Sequence, residues 1–404
     1  MTDPIQKPSD TYSPLYFLAS LGAGGMSVTF FMYLLFWVPH KGRAVPVFGD
    51  IKSAFLTGDL PLQIAIAVAV AGIAIFTILN LKSMIWNLNA LAKFKKTDAY
   101  ETLRNSNAET TLLAQPLAMA MTVNALFIVG LVFVPGLWSI VEYLFPLAML
   151  AFALIGIMAL RIIGDFLGRV LTKGGIFDVT AHNSFAQLLP AFALAMVAVG
   201  FSAPAAMSAN PTMVGISLIL STFFGIASLL YTVVAAITAF SSMLHYGTAK
   251  EAGPTLMVIV PIMTTLGIMF LRQDHGLHVM YGVDTTPGET LVFLARLLTV
   301  QVVFLMLGLV VLRRQGYFTD FIKGTKTSPG SYALVCPGVA LSVMVQFFLH
   351  KGLVAAFVID KFSPAYWAVV AVAIGLQIVT TALIIRLNRR HFGKPAPMVA
   401  VPAE

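Results

Sequence analysis

Residues 111–127, TLLAQPLAMAMTVNALF, form an uncharged apolar run with Pro116 near its start. Three further stretches repeat the design: FAQLLPAFALAMVAVGF at 185–201 with Pro190, LMVIVPIMTTLGIMF at 256–270 with Pro261, and YALVCPGVALSVMVQFF at 332–348 with Pro337. The prolines are 74, 71 and 76 residues apart. A proline inside a helix deletes one backbone donor and crowds the preceding turn, so each predicts a bend. In lipid, irregular backbone is tolerated only beside protein or a water-filled cavity. A bend recurring at one period therefore predicts a two-helix unit used several times around a shared centre. Residues 17–31, FLASLGAGGMSVTFF, fit the same frame without proline, with Gly22 and Gly24 supplying the flexibility. Aromatic side chains follow at similar offsets: Phe30, Phe127, Phe201, Phe270 and Phe347.

Composition sets the class. The chain is 58% hydrophobic and 10% charged, against about 25% charge in soluble domains. Ten apolar runs are each long enough to cross a bilayer core: 14–38, 61–83, 110–134, 142–170, 184–203, 211–244, 254–272, 289–312, 331–349 and 363–385. The first is too long, and lacks the basic leader, of a cleavable signal. With the N-terminus inside, eighteen Lys and Arg fall on the inner side and six on the outer. That bias predicts both termini in the cytoplasm. The net charge of +8 then reflects retention at anionic lipid rather than a nucleic-acid partner. A lone Cys336 excludes a disulfide framework and a cysteine metal site.

These readings predict an all-α polytopic membrane protein, with ten transmembrane helices as five helical hairpins. The odd helices carry the bends and the scattered polar residues, so they form a quasi-fivefold inner ring around a central pore. The even helices, richer in Leu, Ile and Val, face lipid. The predicted domain layout is a cytoplasmic tail at 1–13, a ten-helix transmembrane domain at 14–390 and a second cytoplasmic tail at 391–404. Because the units run in parallel, the pseudo-symmetry axis lies along the membrane normal rather than in its plane.

Ten helices as five hairpins, glycine or proline kinks in the inner set and inside termini resemble the tellurite-resistance/C4-dicarboxylate transporter family. That family includes bacterial anion channels and the slow anion channels of plants. The resemblance covers about residues 14–390 and rests on architecture and spacing. It implies one pore per subunit, a homotrimer, a bacterial inner membrane location, and closure by a phenylalanine near the kink of the ninth helix. Here that stretch is Val335-Cys336-Pro337-Gly338, with no aromatic at the bend.

The inner helices are expected to carry no Lys, Arg, Asp, Glu or His. Intramembrane charges mark proton relays and cation paths, so their absence favours weak solvation of a small anion or a weakly polar solute. The expected function is a channel or transporter with no cofactor, no metal and no enzymatic activity. Its pore kinks are Gly22, Gly24, Pro116, Pro190, Pro261 and Pro337. The candidate constrictions are Phe30, Phe127, Phe201, Phe270 and Phe347, and the polar lining is Gln115, Asn124, Thr264, Thr265 and Cys336. Arg296 is expected to snorkel from the eighth helix, and Arg161 to pair with Asp165 four residues on. Asp274, His275 and His278 are expected in a solvated outer loop. Two other classes stay open: a cofactor-free quinone-binding anchor of a redox complex, and a membrane sensor or binding protein. The histidines avoid helix centres, which counts against a haem subunit.

Overall fold

The computed structural model describes residues 12–174, 177–178, 180 and 184–392. Most of both predicted tails, and His182, lie outside the described residues. Ten helices are long and apolar enough to cross a membrane: α1 (Pro14–Trp37), α2 (Leu60–Phe94), α3 (Asn107–Phe133), α4 (Leu137–Lys173), α5 (Phe185–Met207), α6 (Pro211–Tyr246), α7 (Lys250–Tyr281), α8 (Pro287–Arg314), α9 (Pro329–Val354) and α10 (Pro364–Phe392). No strand occurs among the described residues.

Each odd-numbered helix begins as a 3-10 lead-in and then becomes α-helical. The lead-ins are Pro14–Tyr16, Asn107–Leu113, Phe185–Leu188, Lys250–Met257 and Pro329–Leu334. Four of them are capped by serine: Ser13, Ser106, Ser184 and Ser328 each accept a hydrogen bond from the backbone N–H two residues on. The α-helical ladders start at Ala114, Leu189, Ile259 and Val335. Pro116, Pro190, Pro261 and Pro337 therefore sit in the first turn of those ladders. There the missing N–H has no intrahelical partner to lose. The repeated proline thus marks a switch of helix type rather than a bend in mid-span.

Gly22 and Gly24 do not repeat this device. The α-helix Phe17–Trp37 runs through them unbroken, and its own 3-10 junction lies at Tyr16. Both glycines are points of close approach. A Cβ on Gly22 would stand 2.6 Å from Val335 Cγ1, and one on Gly24 would stand 2.8 Å from Met121 Cγ. Small residues in the helix let its neighbours come near, which drives packing where lipid gives no hydrophobic push.

The lead-ins contact one another in chain order, and that of α9 returns to that of α1. All odd helices therefore start at one end of the molecule, here the proximal face; the opposite end is the distal face. Farther along, α1 packs on α3, α3 on α5, α5 on α7, α7 on α9, and α9 on α1. Each even helix packs on the odd helix before it and on the odd helix after it. Exposure separates the two sets. The most apolar window of each odd helix is 50–94% buried, against 17–33% for each even helix.

Polar side chains of the even helices fasten the odd ones near their junctions. Asn80 Nδ2 donates to the Ser20 carbonyl at 2.8 Å, Ser228 Oγ to Ala191 at 2.8 Å, and Gln301 Nε2 to Val260 at 2.9 Å. Such bonds within a membrane average about 0.6 kcal/mol each. Their greater effect is to give the carbonyls around each helix-type change a defined partner.

Two expectations about connections are corrected. Residues 273–281 are not a loop: α7 continues to Tyr281 and stops where Gly282 takes a left-handed φ of 65°. Nothing in Asp274-His275-Gly276-Leu277-His278 breaks a helix, and its polarity suits the water at the distal face. The odd helices thus do carry ionisable groups at their ends, among them Glu109, Arg272 and Lys351. Arg161 is exposed, and Asp165 pairs instead with Arg104 and, at 4.0 Å, with Arg169. Both arginines also hold Glu109, which is buried at the start of α3.

Candidate functional site

A cavity of about 780 Å³ lies among the odd helices. All five line it, for example through Gly22, Asn124, Phe192, Thr265 and Val339. The even helices contribute Phe145, Ala148, Met149 and Phe152 of α4, and Pro287 and Thr290 of α8. The lining begins at Leu21 in α1, Met121 in α3, Phe192 in α5, Pro261 in α7 and Cys336 in α9. No lead-in residue takes part. Proximal to that level Tyr16, Phe17, Leu113, Leu188 and Tyr332 are packed and buried. In the distal direction the lining reaches the exposed side chains of His275, Lys351 and Lys361. The cavity is therefore a vestibule open at the distal face, floored near the level where the prolines start the α-helices.

The floor and walls are apolar and aromatic. The available polar groups are few. The Thr265 hydroxyl donates to its own helix, with Pro261 and Ile262 carbonyls 3.1 and 2.9 Å away. Thr264 accepts from Gln301 Nε2 at 2.6 Å and lies 3.1 Å from the Ala340 carbonyl. Asn124 differs: among the described residues its Nδ2 has only the thioether of Met196, at 3.7 Å. A thioether is a weak acceptor, so this amide keeps its hydrogen-bonding capacity for whatever occupies the space.

Charge gathers toward the distal mouth. Four basic side chains line the cavity, Arg43, Arg272, Lys351 and Lys361, against Asp274 and Asp284. Arg43 is bound to Asp50, which does not line it, and Asp284 accepts from His278 at 2.8 Å. Arg272 has no carboxylate partner among the described residues; its Nη1 donates to the Val199 carbonyl at 2.8 Å. Lys361 Nζ donates to the Phe36 carbonyl at 3.2 Å, and partial desolvation at the mouth pulls its ammonium pKa below the ordinary value.

His350 is held through both ring nitrogens. Trp37 Nε1 donates to Tyr366 Oη at 2.8 Å, so the tyrosine O–H is free to donate to His350 Nε2, also at 2.8 Å. His350 Nδ1 then donates to the Gln346 carbonyl at 2.8 Å. The ring lies flat against Phe36, with centroids 4.0 Å apart. This unit fixes one wall of the mouth.

Of the residues expected at the site, Gly22, Phe127, Asn124, Pro261, Thr264, Thr265, Cys336 and Phe347 line the cavity. Phe30, Phe201 and Phe270 do not. Phe30 stacks on Phe76 over Gly72 of α2. Phe201 is wedged between Phe152 and Phe224, and Phe270 packs on Phe293 of α8. Similar offset does not give equal orientation: Phe270 and Phe347 follow their prolines by 9 and 10 residues, and one residue turns a side chain by about 100°. Gln115, Pro116, Pro190, Pro337 and Gly24 also lie off it; Gln115 lines a small space of about 80 Å³ beside Arg104 and Glu109. Arg296 is exposed on α8 and does not reach the cavity.

The sequence reading missed Arg272, Lys351 and the α4 aromatics as lining residues, and put His275 in a loop. A signal existed. Thr265, Ile268, Arg272 and His275 step by three, four and three residues, so they continue one helical face beyond the apolar run. Nothing in the sequence marked α4 as the even helix whose phenylalanines enter between α3 and α5. No family model matches the chain, and neither a curated protein nor a solved structure shows significant similarity to it.

Proposed function

We propose that this protein is a membrane channel or transporter that passes a small anion, or a weakly polar solute, along a central path. In this reading the five odd helices form a quasi-fivefold ring of hairpins. The cyclic order of their contacts and their greater burial support it. The observation that carries the proposal is the vestibule itself: five odd helices line one cavity, with basic residues in excess at its mouth and a packed floor at the level of the prolines. Phe127 and Phe347 are its aromatic constrictions, and the packed layer around Tyr16, Leu113, Leu188 and Tyr332 is the closed gate.

The architectural resemblance to the tellurite-resistance/C4-dicarboxylate transporter family supports the same reading. With it we propose a homotrimer in a bacterial inner membrane, chain ends in the cytoplasm and no enzymatic activity. The vestibule then faces outward. The excess of Lys and Arg on the proximal side favours that orientation.

The test is anion flux. The purified chain in liposomes is given an outward gradient of chloride, nitrate or butanoate, with protein-free liposomes as control. Anion movement that scales with protein content is expected. Indifference to the gradient, in the wild type and after Tyr332→Ala in the closed layer, refutes it.

A further inference from the structure

We propose that the vestibule binds an amphipathic organic monoanion, a single carboxylate on an apolar aliphatic or aryl body. The inference rests on the reading of the cavity as the outer half of a transport path, and it names the substrate class. Size is the first ground. A bare halide needs little room, whereas about 780 Å³ falls within the range of pockets that enclose whole organic ligands, roughly 300–1,000 Å³.

The distribution of chemistry is the second ground. Arg272 is the deepest charged side chain on the lining of α7, and no carboxylate engages it among the described residues. It lies eleven residues beyond Pro261, about 16 Å along a helix axis. Between these levels the wall is mostly apolar, with Phe127, Phe152, Phe192 and Met196, and the hydroxyls of Thr264 and Thr265 there are already bonded to protein carbonyls. Asn124 offers an amide partnered only by a thioether. A carboxylate at the Arg272 guanidinium gains a charge-assisted hydrogen bond, and its body then covers the aromatic wall. A dianion of compact shape would either leave that wall wet or bury a second charge against it, which is unfavourable. A cation would meet Arg272, Lys351 and Lys361. Asp274, the lining carboxylate without a basic partner among the described residues, is half-buried toward the mouth.

The experiment is calorimetric titration of the full chain in phosphatidylcholine nanodiscs, with protein-free discs subtracted. The probes are butanoate, hexanoate and octanoate, then succinate, chloride and octanol. Affinity should rise two- to fourfold per methylene along the series, the upper figure matching full burial of each group. Succinate should bind at least tenfold more weakly than octanoate. Arg272→Gln should weaken octanoate at least tenfold while changing octanol less than twofold, and Arg272→Lys should recover part of the loss. A flat series, or succinate tighter than octanoate, overturns the proposal, and the wild-type series decides this without any variant. Palmitate supplied in the same bilayers assigns a lipid-derived ligand if it displaces octanoate and a soluble one if it does not. Anion flux with a flat octanoate series sinks only this inference. Length-dependent binding with no flux sinks the transport reading and leaves the site.

Discussion

Cys336 is the single cysteine of the chain and lines the floor of the vestibule, so the native protein carries its own reporter of the path. The perturbation is modification by a small, membrane-impermeant methanethiosulfonate applied to one face at a time. Cys336 is 7% exposed as a residue, and reactivity follows access to the sulfur. Labelling should therefore run on the order of a tenth of the rate at a fully exposed cysteine, or slower. Direction matters more than rate. From the distal face the reagent meets an open vestibule, while from the proximal face it meets the layer containing Tyr16, Leu113, Leu188 and Tyr332, each at most 4% exposed. Distal labelling should exceed proximal labelling, because only the distal path leads to the sulfur without crossing a packed layer. The assay is mass spectrometry on spheroplasts and on inverted vesicles, with Cys336→Ser as the blank. The adduct sits where Gly22, Pro261 and Val339 also line the cavity, so it should abolish flux in liposomes. Equal labelling from both faces, or full flux after complete modification, would refute a vestibule closed at the proline level.

Three other outcomes follow from the packing. Glu109→Gln should lower the denaturation midpoint clearly more than Asp165→Asn, by about 2 kcal/mol against at most 1: Glu109 is 1% exposed between two arginines, whereas the Asp165 side chain is 53% exposed. Equal shifts in a chemical-denaturant titration would show that the buried placement of Glu109 is wrong. Phe127→Ala and Phe347→Ala should raise anion flux severalfold, because both line the vestibule; Phe201→Ala should leave flux per folded protein unchanged but cost about 3–5 kcal/mol, because that ring is a buried core side chain. Gln301→Leu removes two bonds from α8 to α7, to Val260 and Thr264, and should destabilise by about 1–2 kcal/mol; no shift in a double-mutant cycle with Thr264→Val would count against that bridge.

The ten membrane-length helices were legible because each needs only length and apolarity, which are local properties of the sequence. Their division into more buried and more exposed sets was legible for a related reason. Small and polar residues such as Gly22, Ser20 and Asn124 are costly toward lipid and so gather on helices that neighbours cover. Helix ends were less legible. Gly282 ends α7, yet the Asp274–His278 stretch reads as a loop to any rule based on hydropathy, since charge marks the end of the hydrocarbon layer rather than the end of a helix. Side-chain direction was least legible. Phe30 and Phe31 are adjacent, but Phe31 lines the cavity while Phe30 fits over Gly72 of α2. That choice depends on a glycine 42 positions away, and no pattern within α1 contains it.

The prolines connect these levels. At the first turn of an α-helix a proline costs no hydrogen bond, so four of the odd helices can change from 3-10 to α at nearly the same depth without stranding a donor. A 3-10 segment is narrower and rises faster per residue than an α-helix. Five such lead-ins can therefore draw together, and their contacts run continuously from each to the next. Beyond the junctions the wider α-helices carry small residues on their facing sides, among them Gly22, Gly25 and Ala340, and the space between them opens. The floor of the vestibule falls at this transition because helix diameter and side-chain size change there together. Leu113, Leu188 and Tyr332 close the narrow side. A sequence change that moved the junction, such as Pro190→Ala with Ala186→Pro, should move the floor with it; labelling of cysteines placed in turn at Leu189, Phe192 and Met196 would locate that boundary, and a floor left in place would show that side-chain size alone sets it.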